Sequence, residues 1–219
     1  MELSASVIIG PADQFFYGRD GTDKQYLLLA RSGRNWNLDR DEAVLAIYLI
    51  TPRVQDEPSQ FLSIGRIRGE LANKYSVDLV QNQIRAVTNE RRGIPSHWEW
   101  VYETFYDRPE MTNYVTALAM ATDPLGEMSE VGSLRIRDEN TIVNGARFLG
   151  DLVYISAIKD LYDKPDEDYD LFYVANISSW SIVGDYESLD LPDNFMSSYL
   201  RPIQSAGDSR DLFVICEDL

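Results

Sequence analysis

The spacing of apolar positions changes several times along the chain. Near the start, apolar runs at residues 6–9 and 25–30 flank the turn-rich stretch 18–23, with Phe15, Phe16 and Tyr17 on the approach to the turn. That pattern predicts a hairpin or a pair of strands. From Trp36 the spacing becomes helical, with Leu38, Val44, Leu45, Ile47, Tyr48 and Leu49 recurring on one face. Asn37 or Asp39 would cap this helix, Asp41 and Glu42 would sit in its first turn, and Pro52 would end it. Phe61, Ile64, Ile67 and Leu71 predict a second helix, and Leu79, Val80, Ile84 and Val87 a third, which stops near Gly93 and Pro95. A fourth helix over 96–106 and a fifth over 109–121 complete a helical unit.

After Asp123-Pro124-Leu125-Gly126 the texture changes. Residues 134–137, 171–177, 180–183 and 212–216 read as strands, whereas 145–158 fits helix or strand. The expected fold class is therefore α+β. It comprises an N-terminal hairpin over 1–35, a helix-turn-helix-like unit over 36–122, and a mixed region with antiparallel strands over 123–219. The strands of the last region are expected to share a sheet with the N-terminal ones.

At 219 residues with 44% hydrophobic and 11% aromatic content, the chain has ample material for a packed core. It holds no apolar run of about 18 residues, and its first residues lack the basic start of a signal peptide. A soluble, cytoplasmic protein is the expectation. The single cysteine, Cys216, lies in an apolar run and reads as a small buried hydrophobe, and the single histidine, His97, as a surface or capping residue. The formal charge is −16, with 16 Arg to 4 Lys and 22 Asp to 14 Glu. Such usage fits a salt-adapted or GC-rich source as well as it fits a function.

Within this acidic chain residues 64–92 form a basic island, in which Arg66, Arg68, Lys74, Arg85, Arg91 and Arg92 face only Glu70, Asp78 and Glu90. The island spans the second and third expected helices, whose connection of about three residues suits a helix-turn-helix. In that geometry Gln81, Asn82, Gln83 and Arg85 would approach base edges of duplex DNA, and Arg91 and Arg92 its phosphates. The nucleic-acid-binding set expected on this reading is Arg66, Arg68, Lys74, Gln81, Gln83, Arg85, Arg91 and Arg92. The alternative is a solvated face of a helical bundle.

The runs NWNLDRDEAVLAIYL, SIGRIRGEL, VQNQIRAVTNERRG and HWEWVYETFYDRPEM resemble the helical N-terminal accessory domain of HNH-type restriction endonucleases, over residues 35–115. The resemblance implies a DNA-associated accessory domain. It does not imply HNH chemistry, which needs several histidines to activate water and hold a metal, and the chain has one. Asp151, Asp160, Asp168 and Asp170, with Lys159 nearby, are the carboxylates a different metal site would use, but no Asp/Glu-x-Lys strand motif follows them. P-loop, nucleophile-elbow, zinc and EF-hand signatures are absent from the sequence.

Tyr169, Tyr173, Trp180, Tyr186 and Tyr199 concentrate aromatic side chains in the C-terminal part, which suits either a protein-binding surface or core packing. An acidic aromatic surface would also mimic DNA. The functional expectation is a non-enzymatic DNA-associated protein, regulatory or restriction/defence-related, without cofactor or membrane association. The alternative is a structural or assembly protein, such as a virion or multi-subunit component, that binds protein partners or itself.

Overall fold

The computed structural model describes residues 14–19, 25–35, 37–38, 40–50, 60–73, 76–80, 82–92, 110–121, 126–136, 141–159, 170–187, 195–201 and 213–218. Every regular element among them is a strand. Sheet 1 is formed by β1 (Gln14–Arg19), β2 (Gln25–Asn35), β3 (Arg40–Ile50) and β4 (Gln60–Arg68) in chain order, with β9 (Gly126–Glu127) parallel at its far edge. In sheet 2, β7 (Gln83–Arg92) lies between β8 (Glu110–Ala119) and two short strands, β5 (Glu70–Leu71) and β6 (Val77–Val80), while β10 (Ser129–Arg135) closes the other edge. Sheet 3 is a meander of β11 (Thr141–Leu149), β12 (Leu152–Lys159), β13 (Asp170–Asn176) and β14 (Ser181–Glu187). A fourth sheet pairs β15 (Phe195–Arg201) with β16 (Phe213–Asp218).

These sheets stack face to face. β3 packs against β7, β11 against β7 and β8, and β15 against β11 and β12. Sheet 2 is thus covered on both sides, and its strands divide their side chains between two cores. Ile84, Ala86 and Leu118 join Leu28, Leu45 and Ile47 in the core shared with sheet 1. Val87 and Val115 join Val143, Val153 and Ile155 in the core shared with sheet 3. Full burial of each such aliphatic side chain contributes about 1.5–3 kcal/mol.

The expected α+β class is overturned by these strands, and the physical reason lies in the apolar pattern. A strand covered on both faces, or interrupted by a bulge, loses clean two-residue alternation and can imitate helical spacing. Residues 40–50, expected as the first helix, are β3, where Ala43, Leu45 and Ile47 point into the core and Ala46, on the opposite face, is buried as well. The i, i+3 spacing of Phe61, Ile64 and Ile67 falls on β4, across a register shift that leaves Leu62 bulged between Phe61 and Ser63. The supposed third helix is the β6–β7 hairpin, and most of the fifth is β8. The fourth, over 96–106, lies outside the described residues, as does the apolar run at 6–9. The run at 25–30 falls on β2, but its described partner on the N-terminal side is β1, the segment expected only as the approach to the turn; the strands expected in the C-terminal part correspond to β10, β13, β14 and β16.

The passage from sheet 1 to sheet 2 occurs at one residue. β4 ends at Arg68, and Gly69, at φ +83°, turns the chain into β5; its N–H donates to the Asp41 carbonyl at 2.7 Å. This corner carries the chain from β4, which holds Arg66 and Arg68, to β5 at the edge of sheet 2.

Candidate functional site

Two adjoining surfaces of sheet 1 carry the described residues with functional potential. The first is the polar end of the gap between sheets 1 and 2. Asp41 on β3 is 1% exposed, and its carboxylate accepts from Arg34 Nη1 at 3.4 Å and from the backbone N and Nε of Arg91, both at 3.1 Å. Arg91 also donates to Glu70 at 2.7 Å, and its guanidinium is held even more firmly protonated than usual, because the two carboxylates outweigh its partial burial. Arg68 lies 3.9 Å from buried Glu90 and 5.2 Å from the ring centre of Tyr114, a cation–π contact. Removing one partner of such a buried pair leaves a desolvated charge, so these contacts lock the two sheets into one arrangement.

The second surface is the face of sheet 1 turned away from sheet 2. Tyr26, Leu28 and Ala30 of β2 point into the core, so the intervening Leu27, Leu29 and Arg31 line the opposite face. The register sets Tyr17 opposite Leu27 and Phe15 opposite Leu29, then Leu27 opposite Tyr48 and Leu29 opposite Ala46. Phe15 is 68% exposed and Tyr17 61%. Tyr48 meets Phe61 edge to face at 5.3 Å, and burial pushes its phenol above the ordinary value. Toward the other end of the same strands this apolar area gives way to arginine, because Arg31, Val44 and Arg66 stand side by side on β2, β3 and β4. The Arg66 side chain is 62% exposed and only 3.9 Å from Glu42.

Glu42 anchors that basic end. Burial would raise its carboxyl, but hydrogen bonds from Asn35 (2.7 Å) and Arg40 (2.6 and 3.0 Å), with the charges of Arg40 and Arg66, hold it below the usual carboxylate value.

The expected nucleic-acid-binding residues are not gathered on one helix. Arg66 and Arg68 lie on β4; Gln83, Arg85, Arg91 and Arg92 lie on β7. Lys74 and Gln81 are outside the described residues. Arg85 is turned into the protein, donating to the Gly150 carbonyl at 2.7 Å and lying 3.4 Å from Asp151, so it fastens sheet 2 to the β11–β12 turn. Arg66, Arg68 and Arg91 meet carboxylates of neighbouring strands, and Arg85 meets that of Asp151 in the turn.

The other sequence candidates also find places. Asp151 bonds Arg85 and accepts from Ser178 Oγ at 2.6 Å, while Asp170 and Lys159 end strands. Asp160, Asp168, His97 and Tyr169 lie outside the described residues. Among the described residues no three His, Cys, Asp or Glu side chains are grouped to hold a metal. Tyr173 is buried in the second core, where Trp180 also packs and stands so close over Gly132 that an added methyl would strike its indole. Tyr186 and Tyr199 are on β14 and β15, and Cys216 on β16. Tyr173 and Trp180 thus serve packing, and among the described residues the exposed aromatics are Phe15 and Tyr17. Their place on the approach to a turn was visible in the sequence; their exposure was not.

A family model described as a beta propeller domain matches residues 3–160. No curated protein and no solved structure matches the chain. With the strands described above, the family match overturns the resemblance to the helical accessory domain of HNH-type endonucleases. It overturns as well the helix-turn-helix and the DNA-associated function expected from it. The physical cause is shared by all three: the arginines and amides expected on one exposed recognition helix are divided between β4 of sheet 1 and β7 of sheet 2, where Arg68, Arg85 and Arg91 are engaged by groups of the protein itself. Among the described residues no helix is long and apolar enough to cross a membrane.

Proposed function

The chain belongs to the beta propeller domain family, and from that premise we propose that it is a non-enzymatic protein-interaction module, working as a component of a larger assembly in the cytoplasm. Domains of this family commonly mediate protein–protein contacts. The observation that carries the reading is the outer face of sheet 1, where Phe15 and Tyr17 stand exposed over the half-buried Leu27 and Leu29. Aromatic side chains supply large contact area at low entropic cost, and their exposure beside an apolar strand pair marks a binding patch. Binding rather than catalysis is further supported by the deeply buried Asp41 and Glu90, which face arginines of neighbouring strands instead of converging on a cleft.

The test is chemical crosslinking in cells of the source organism, comparing the full chain with Phe15→Ser/Tyr17→Ser. Both positions are solvent-exposed, so the variant is expected to lose no more than about 1 kcal/mol of stability, about 0.5 kcal/mol for each substitution. Loss of specific crosslinked partners supports the reading. An identical crosslink pattern in parent and variant refutes it.

A further inference from the structure

We infer that the occupant of the sheet 1 face is a second copy of this chain, docked head to tail through its acidic β9–β10 segment. The inference rests on the interaction reading above and names its partner. Two copies each of formal charge −16 repel at long range, so contact is favoured where one surface inverts the local sign. The outer face of sheet 1 does so, joining exposed Arg31 and Arg66 to the aromatic patch of Phe15 and Tyr17.

The complementary pattern occurs elsewhere on the same molecule. Met128 is pinned between β9 and β10, its N–H donating to the Ile64 carbonyl at 2.7 Å and its side chain covering Gly65. On either side of that anchor the chain is exposed, presenting Glu127, Glu130 and Val131, the last 48% exposed at a register shift between Glu130 and Gly132. β10 is the outer strand of sheet 2, so this segment stands at an edge. It offers carboxylates beside an apolar side chain, matching arginines beside apolar side chains. The two patches lie on different parts of one chain, so the contact is heterologous and propagates to a ring or an open array.

Sedimentation velocity on the full chain tests this with two charge-reversed variants, Arg31→Glu/Arg66→Glu and Glu127→Arg/Glu130→Arg, each confirmed by circular dichroism to be folded at the assay temperature. The parent is expected to self-associate with rising concentration, and each variant alone to do so about tenfold more weakly or not at all. An equimolar mixture of the two should recover association, since each restores the other's contact with opposite sign. The second variant lowers the net negative charge, so stronger association by it alone would show that only global repulsion matters and would overturn the proposal. A monomeric parent, or a mixture that fails to recover, overturns it too. A monomeric parent whose partner crosslinks still depend on Phe15 and Tyr17 removes the second copy while leaving the interaction reading intact.

Discussion

Asn89 and Asn113 stand directly opposite each other on β7 and β8 and stitch sheet 2 to the first strand of sheet 3. Asn89 donates through Nδ2 to the Val143 carbonyl at 3.1 Å and accepts from the Val143 N–H at 2.9 Å, as a neighbouring backbone would. Asn113 donates to the carbonyl and hydroxyl of Thr141 at 2.9 and 2.6 Å. Replacing Asn89 with alanine leaves both Val143 backbone groups without this partner in a buried setting. A loss of about 1–3 kcal/mol is expected, read by denaturant unfolding. Glu42 is expected to act through pH. Its carboxyl is held below the ordinary value in the folded chain, so its ionised form adds stability above the unfolded-state value and loses it as pH falls through the folded one. The Glu42→Gln variant should therefore be less stable than the parent at neutral pH, with the gap closing on acidification; a gap constant with pH would contradict this.

At the scale of the elements, the β4–β5 corner decides how two sheets meet. Gly69 has φ +83°, and a Cβ there would lie 2.7 Å from the Asn89 carbonyl oxygen. Backbone strain for alanine in this region costs about 1–3 kcal/mol before the clash is counted. Gly69→Ala should lower the unfolding midpoint by more than Gly33→Ala, since Gly33 has open space where a Cβ would stand. If the two variants melt alike, the corner is not the constraint described. The same corner explains a misread element: Leu71 continues the helix-like spacing of Phe61, Ile64 and Ile67, yet belongs to another sheet. Local sequence carries periodicity but not the sheet to which each apolar residue goes.

For the whole molecule, a formal charge of −16 coexists with deeply buried ion pairs such as Arg34–Asp41. Salt acts on these differently. Between about 0.1 M and 1 M the Debye length falls from about 10 to 3 Å, which screens repulsion across the surface, whereas buried pairs are screened much less. Melting temperature is therefore expected to rise over this range in thermal scans. A fall would mean that exposed pairs such as Arg91–Glu70 outweigh the net repulsion.

The sequence by itself determined that this is an acidic chain with enough apolar residues for a core, that residues 25–30 belong to a strand beside an N-terminal turn, and that the later apolar runs at 171–177 and 212–216 hold strands. These rest on composition and on local alternation, which one segment can display alone. Only the tertiary structure decided that residues 40–50, 60–68 and 83–92 are strands, because β7 is covered on both faces, Ala46 of β3 is buried on the face opposite its inward neighbours, and the bulge at Leu62 shifts the two-residue period of β4. It alone also decided the fate of the basic island. Charges near one another in sequence are divided between β4 of sheet 1 and β7 of sheet 2, where carboxylates brought by other strands and by the β11–β12 turn meet them, and Arg66 is left exposed on the outer face of sheet 1. Such pairings depend on strand register and sheet stacking, which no local pattern encodes.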